Sequence, residues 1–190
     1  MKNSSFLFMF YFLLTGCINR AQSQDSLPVY TGFTIVSKQV NETRTINVWT
    51  PPGYTESSTP LPVLYMLDGG VKEDFPHIAN TLSDLIANKR IPPMLLVGIE
   101  NTERRRDLTG ATVVEQDKKI APVVGGAEKF RAFIAEELFP EIEKRYKTNG
   151  KRGIIGESIA GLFVVETLLT QPELFDYYIA MDPSLWWNNH

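Results

Sequence analysis

Cysteine is almost absent from this chain. Cys17 is the only one, so no disulfide can form within the molecule. There is also no excess of basic residues. Lys and Arg number 19 against 22 Asp and Glu, for a formal net charge of −3. No basic patch suggests nucleic acid as a partner, and no block of like charge suggests an acidic tail. No segment is of low complexity, and no internal repeat is visible. What remains is an ordinary globular composition, 43% hydrophobic and 22% charged over 190 residues. That length suits one domain and is too short for two.

The N-terminus carries Lys2 and then an apolar run at residues 6–14 (FLFMFYFLL). At about 1.5 Å per helical residue this run cannot cross a hydrocarbon core of roughly 30 Å. It fits the apolar region of a secretory signal. Residues 14–17 (LTGC) follow directly and resemble the lipobox of bacterial lipoproteins. The expectation is a signal peptide over residues 1–16, lipid on Cys17 and a polar tether over residues 17–27. The molecule would then be a bacterial, extracytoplasmic membrane lipoprotein of the periplasm or outer membrane, with its lipid anchor in a membrane. A plain cleaved signal that discards Cys17 is the alternative.

From residue 28 onward the pattern is that of a folded domain. Residues 29–36 and 44–50 alternate apolar and polar side chains, which predicts two antiparallel strands with a turn near Val40, Asn41 and Glu42. Residues 61–67 (LPVLYML), 94–99 (MLLVGI), 153–156 (GIIG) and 177–181 (YYIAM) are short apolar runs suited to strands covered on both faces. Helical spacing marks residues 78–86, 127–146 and 159–169, and Pro140 should bend the second of these. Asn149-Gly150 reads as a turn, and residues 100–126 as one long connection. Strands alternating with helices predict an α/β architecture, a mainly parallel sheet flanked by helices.

The segment that carries chemistry is residues 156–161 (GESIAG), where a buried strand meets a helix. A tight strand-to-helix turn needs small neighbours and lifts a serine hydroxyl above the carboxyl edge of the sheet. That makes Ser158 the candidate nucleophile. Its position at a helix start makes the Ile159 N–H a candidate donor to a developing oxyanion. The usual pattern is G-x-S-x-G, whereas here Ala160 stands two after the serine and glycine falls at 161. A serine that merely caps a helix would also satisfy the hexapeptide. A second oxyanion donor is expected from Gly69 or Gly70, in the Asp68-Gly69-Gly70 turn that ends a strand. Among the three arginines at 104–106, Arg106 is the candidate substrate contact, with Arg104 and Arg105 assigned to the loop face. Trp186, beyond the last strand, is a candidate wall for an acyl or aromatic pocket, though a core role fits it too.

Residues 61–70 (LPVLYMLDGG), 97–109 (VGIENTERRRDLT), 156–163 (GESIAGLF) and 183–189 (PSLWWNN) together resemble the putative-esterase family of α/β-hydrolases, from about Arg44 to the end. The siderophore-esterase branch is nearest in style, through the arginine-rich loop and the Ser-x-Trp-Trp segment. The resemblance implies the α/β-hydrolase fold, a small-molecule ester substrate, Ser158 as the serine of a Ser–His–acid triad, and no metal or organic cofactor. The family's acid and histidine lie well beyond the Ser-x-Trp-Trp segment. Only His77 and His190 are present here, and His77 precedes the nucleophile, where a surface or capping role is expected. Ser158, Asp182 and His190 have the required order, but a terminal histidine is poorly held for a catalytic base. The expectation is therefore a hydrolase domain over residues 28–190 lacking its last strands and helices, a truncated form of a longer serine esterase. An inactive lipoprotein that binds a ligand and an acyltransferase of the same superfamily are the alternatives.

Overall fold

The computed structural model describes residues 25–55 and 59–189. The proposed signal segment, Cys17 and most of the tether lie outside the described residues, as does His190. Among the described residues, no helix is long and apolar enough to cross a membrane.

Six strands form one mixed sheet: β1 (Thr31–Ser37), β2 (Glu42–Trp49), β3 (Leu61–Met66), β4 (Leu95–Ile99), β5 (Thr148–Glu157) and β6 (Tyr177–Met181). Their spatial order is β1-β2-β4-β3-β5-β6. The first two strands make the antiparallel hairpin that their alternation predicts, and β2 continues antiparallel onto β4. From β4 through β3 and β5 to β6 every pairing is parallel. The chain leaves β3 toward one edge and later returns to β3's other side. The carboxyl ends of β3 and β5 therefore flank the point where the winding reverses, which is where open α/β sheets form their clefts.

Both faces of β3 and β4 are apolar because alternate side chains serve two cores, whereas edge strand β6, expected to be covered on both faces, leaves Tyr177, Ile179 and Met181 exposed among the described residues. Val63 and Tyr65 of β3, with Leu67 just beyond it, join Leu95, Val97 and Ile99 of β4 against one set of helices. That set includes α4 (Ala127–Phe133), α5 (Phe139–Arg145) and α6 (Ile159–Thr170), which bring Phe130, Phe133, Ile142 and Phe163. On the opposite face Leu64, Met66 and Leu96 pack on Phe75, Ala79 and Leu82 of α1 (Phe75–Ala87). Pro76 in the first turn of α1 lacks an N–H at a place where none is needed, which lets the helix start ahead of its apolar stripe.

Three local expectations change. The helix over residues 127–146 is interrupted by a π-helical turn, Ile134–Leu138, just before Pro140. The proline ring cannot accept the usual backbone approach from one turn earlier, and the wide turn makes room for it. Asn149 and Gly150 are part of β5 and form a bulge. Thr148 pairs with Leu61, but the next pair is Arg152 with Val63, and Gly150 takes a φ of 79°. The long connection contains two short helices, α2 (Arg104–Leu108) and α3 (Glu115–Ile120), too brief to show a helical period in sequence.

Candidate active site

Strand β5 ends at Glu157, α6 begins at Ile159, and Ser158 alone makes the turn between them, with φ 57° and ψ −118°. A non-glycine residue in that region costs on the order of 1–3 kcal/mol and persists only where its surroundings hold it. They do so here through the backbone. Ser158 donates its N–H to the Met181 carbonyl (3.0 Å), and its own carbonyl accepts from Leu162 (2.9 Å) and Ser184 (3.0 Å). The Ser158 hydroxyl makes no capping bond to α6. It lies instead 3.2 Å from the Ser184 hydroxyl.

The departure at position 160 has a steric explanation. A Cβ on Gly156 would fall 2.8 Å from the Ala160 Cβ, so the methyl of Ala160 occupies the space that Gly156 leaves. The close approach to β6 falls one residue later, on Gly161. A Cβ there would meet the Met181 carbonyl oxygen at 2.9 Å and the Pro183 Cα at 3.1 Å. Glycine is thus required at 161, where α6 grazes the end of β6, and a small side chain suffices at 160.

The first amides of α6 have no partner inside the helix, and Ile159 opens it. The two glycines after β3 differ from each other. Gly69 donates its N–H to the Ile99 carbonyl at 2.9 Å, a link into the sheet. Gly70 donates to the Glu73 carboxylate at 2.7 Å. Both donors are therefore engaged, one by backbone and one by a side chain.

The arginines are sorted by their partners. Arg106 grips Glu42 with two nitrogens (2.5 and 2.9 Å) and Asp107 with a third (2.8 Å). Those bonds hold the Glu42 carboxyl at a pKa of about 2, the guanidinium of Arg106 being the main cause. Fully buried Arg44 lies 2.7 Å from Asp107 and faces the Phe130 ring, completing a charged cluster that ties the hairpin to α2. Arg105 bonds the carbonyl of Ile120. The arginine nearest the Ser158 turn is Arg104. It forks onto Asp68 (2.6 and 2.7 Å) and reaches the Glu157 carbonyl at 3.4 Å. The bond to Asp68 raises its pKa above the usual guanidinium value. Asn101 bridges Asp68 and Glu73 from the same side (2.6 and 2.8 Å). The structure thus brings Arg104 to the β5 turn and commits Arg106 to the hairpin.

Beyond β6, Trp187 is buried and Trp186 is 54% exposed, their rings meeting edge to face at 6.0 Å. Asn188 fastens this turn by donating its N–H to Asp117 (2.8 Å), which also accepts from Thr112. A cavity of about 210 Å³ opens at the carboxyl ends of β3 and β5, bordered by Asp68, Asp74, His77 and Glu157. His77 is largely exposed and pairs with Asp25 at 2.8 Å. Asp182 follows β6 directly, with φ 41°. Among the described residues, no group of three or more His, Cys, Asp or Glu is placed to hold a metal ion. Ser184, Glu73 and Asn101 are residues of this region that sequence reasoning missed. Ser184 lies inside the quoted Ser-x-Trp-Trp segment and Asn101 inside the quoted segment 97–109, whereas nothing in the sequence marks Glu73.

Residues 37–190 match the family model Esterase, described as Putative esterase. The ferri-bacillibactin esterase BesA of Bacillus subtilis is 36% identical over 183 residues, which cover 82% of this chain and 61% of that protein. A siderophore triacetylfusarinine C esterase of Aspergillus fumigatus is 32% identical over 68% of this chain and 46% of its own length. Among solved structures, an IroE-like serine hydrolase from Shewanella oneidensis superposes with a TM-score of 0.75 at 37% identity, over 83% of this chain and 52% of that one. The chain spans about three-fifths of the BesA sequence and half of the Shewanella structure. Its mixed sheet and flanking helices are those of an α/β-hydrolase, and the chain belongs to the Esterase family.

Proposed function

We propose that this chain carries the nucleophile part of a serine hydrolase acting on carboxylic esters of the siderophore type. The observation that carries the reading is the Ser158 turn. A serine at positive φ, fixed by three backbone bonds, presents a hydroxyl that is not spent on capping the helix behind it. The names of the relatives, esterases of ferri-bacillibactin and of triacetylfusarinine C, support the substrate class.

In this reading the Ser158 Oγ attacks the ester carbonyl, and its proton passes to a histidine that the described residues do not place beside it. The alcohol leaves with that proton, and water then attacks the acyl-enzyme and releases the acid. Ile159 N–H is one oxyanion donor. Gly70 is the better second donor, because its present partner is a side chain that can turn away, while Gly69 is tied to sheet backbone. Arg104 and exposed Trp186 border the acyl site. The N-terminal motif supports a lipid anchor on Cys17 and an extracytoplasmic location. A Cys17 peptide of unmodified mass from the native host would refute the anchor.

The test of the catalytic reading is fluorophosphonate labelling, located by peptide mapping, of the folded protein in a form that also supplies the catalytic histidine. Label on Ser158, lost in Ser158→Ala, is the expected result. Folded protein of that form that resists labelling at Ser158, with an ester substrate left intact, would overturn it.

A further inference from the structure

Ser184 faces the nucleophile at hydrogen-bond distance, yet the reaction outlined above gives it no part. Its side chain is 5% exposed. Its N–H donates to the Ser158 carbonyl (3.0 Å), and its own carbonyl accepts from Trp187 (3.1 Å). Buried Trp187 and the Asn188–Asp117 bond immobilise the turn that follows. The Ser184 hydroxyl is therefore held by a rigid frame 3.2 Å from the Ser158 Oγ.

We propose that Ser184 is a positioning residue whose hydroxyl stabilises the anionic form of the group at position 158. The inference rests on the reading of Ser158 as nucleophile. In the resting chain either hydroxyl can donate to the other. Once the Ser158 proton has gone to the base, an alkoxide can only accept, so the Ser184 O–H must be the donor. No proton leaves Ser184. Its bond strengthens as charge develops on Ser158, because a hydrogen bond to an ionised oxygen is about twice as strong as a neutral one. The same donor faces the ester oxygen when Ser158 becomes the leaving group in deacylation.

Two roles of Ser184 must be separated: the amide that staples the turn, and the hydroxyl that touches the nucleophile. Ser184→Ala keeps the first and removes the second. The measurement is made on a chain carrying Cys17→Ser and Ser158→Cys, which leaves one thiol, at the nucleophile position. The thiol pKa is read from iodoacetamide alkylation rates against pH, a quantity that needs no catalytic base. Removing one charge-assisted donor should raise the pKa by about one pH unit, or slow alkylation roughly tenfold below it. Ser184→Thr, which retains a hydroxyl, should restore the low value. Ser184→Gly replaces the alanine variant if that variant does not fold, since it too keeps the amide.

An unchanged thiol pKa in the folded alanine or glycine variant would overturn the role of Ser184. So would a threonine variant that titrates like alanine. Failure of Ser158 itself to label with fluorophosphonate while Ser184 is intact would instead refute the esterase reading. The two failures are thus distinguishable.

Discussion

Gly161→Ala sets two known effects against each other. Alanine is favoured over glycine in a helix interior by up to about 1 kcal/mol, and by less in a first turn such as this. The added Cβ would lie 2.9 Å from the Met181 carbonyl oxygen, 3.1 Å from the Pro183 Cα and 3.3 Å from the Gly156 carbonyl oxygen. All three are backbone atoms, so no side chain can swing aside to make room. Overpacking of this kind costs about 1–3 kcal/mol, which outweighs the propensity gain and leaves a net loss of about 1–2 kcal/mol. Urea denaturation should show a lower midpoint with an unchanged slope. The same clash pushes residues 181–184 away from the turn, stretching the bonds that Ser158 makes to Met181 and Ser184. Fluorophosphonate labelling of Ser158 should therefore slow even under conditions where the variant is fully folded. The complementary variant, Ala160→Gly, restores the usual G-x-S-x-G spacing. It should nevertheless destabilise by about 1 kcal/mol, because it removes a buried methyl and adds backbone freedom. A Gly161→Ala chain more stable than the parent would refute the claim that α6 grazes β6 at this residue.

Other outcomes follow from the same geometry. Glu73→Ala frees the Gly70 N–H and should speed fluorophosphonate labelling of Ser158; a slower or unchanged rate would remove Gly70 from the oxyanion site. Arg44→Met leaves buried Asp107 short of one partner and should cost about 3–5 kcal/mol in denaturant unfolding, with Asp107→Asn recovering part of that loss. Glu42 has its pKa lowered from 4.5 to about 2 in the folded chain, so its stabilisation is complete above pH 4.5 and fades as pH falls toward 2. Its side chain is 31% exposed, and screening limits the effect to about 2 kcal/mol; Glu42→Gln should flatten the acid limb of a stability–pH curve by that amount. Trp187→Ala should cost about 3–5 kcal/mol, while exposed Trp186→Ala should leave the midpoint within about 0.5 kcal/mol and weaken ester binding, measured as KM.

The sequence by itself determined the elements on which the site is built. Continuous apolar runs specify β3, β4 and the inner half of β5, because strands covered on both faces cannot alternate, and the small residues around Ser158 specify a tight turn between β5 and α6; the similar run at β6 forms a strand but is not covered on both faces. Those signals are local, and each is complete within a dozen residues. The tertiary structure alone decided which groups converge there. Arg104 meets Asp68 from 36 positions away, and Arg106 meets Glu42 from 64. Three adjacent arginines look alike in sequence, and only the winding of the chain sends one to the Ser158 turn and another to the hairpin. The engagement of Gly70 by Glu73 and the approach of Ser184 to Ser158 are likewise invisible to periodicity. Both depend on where a turn comes to rest against the sheet edge. Spacing along the chain encodes the direction of a side chain within its own element, whereas contact between elements is set by packing, which no single segment contains.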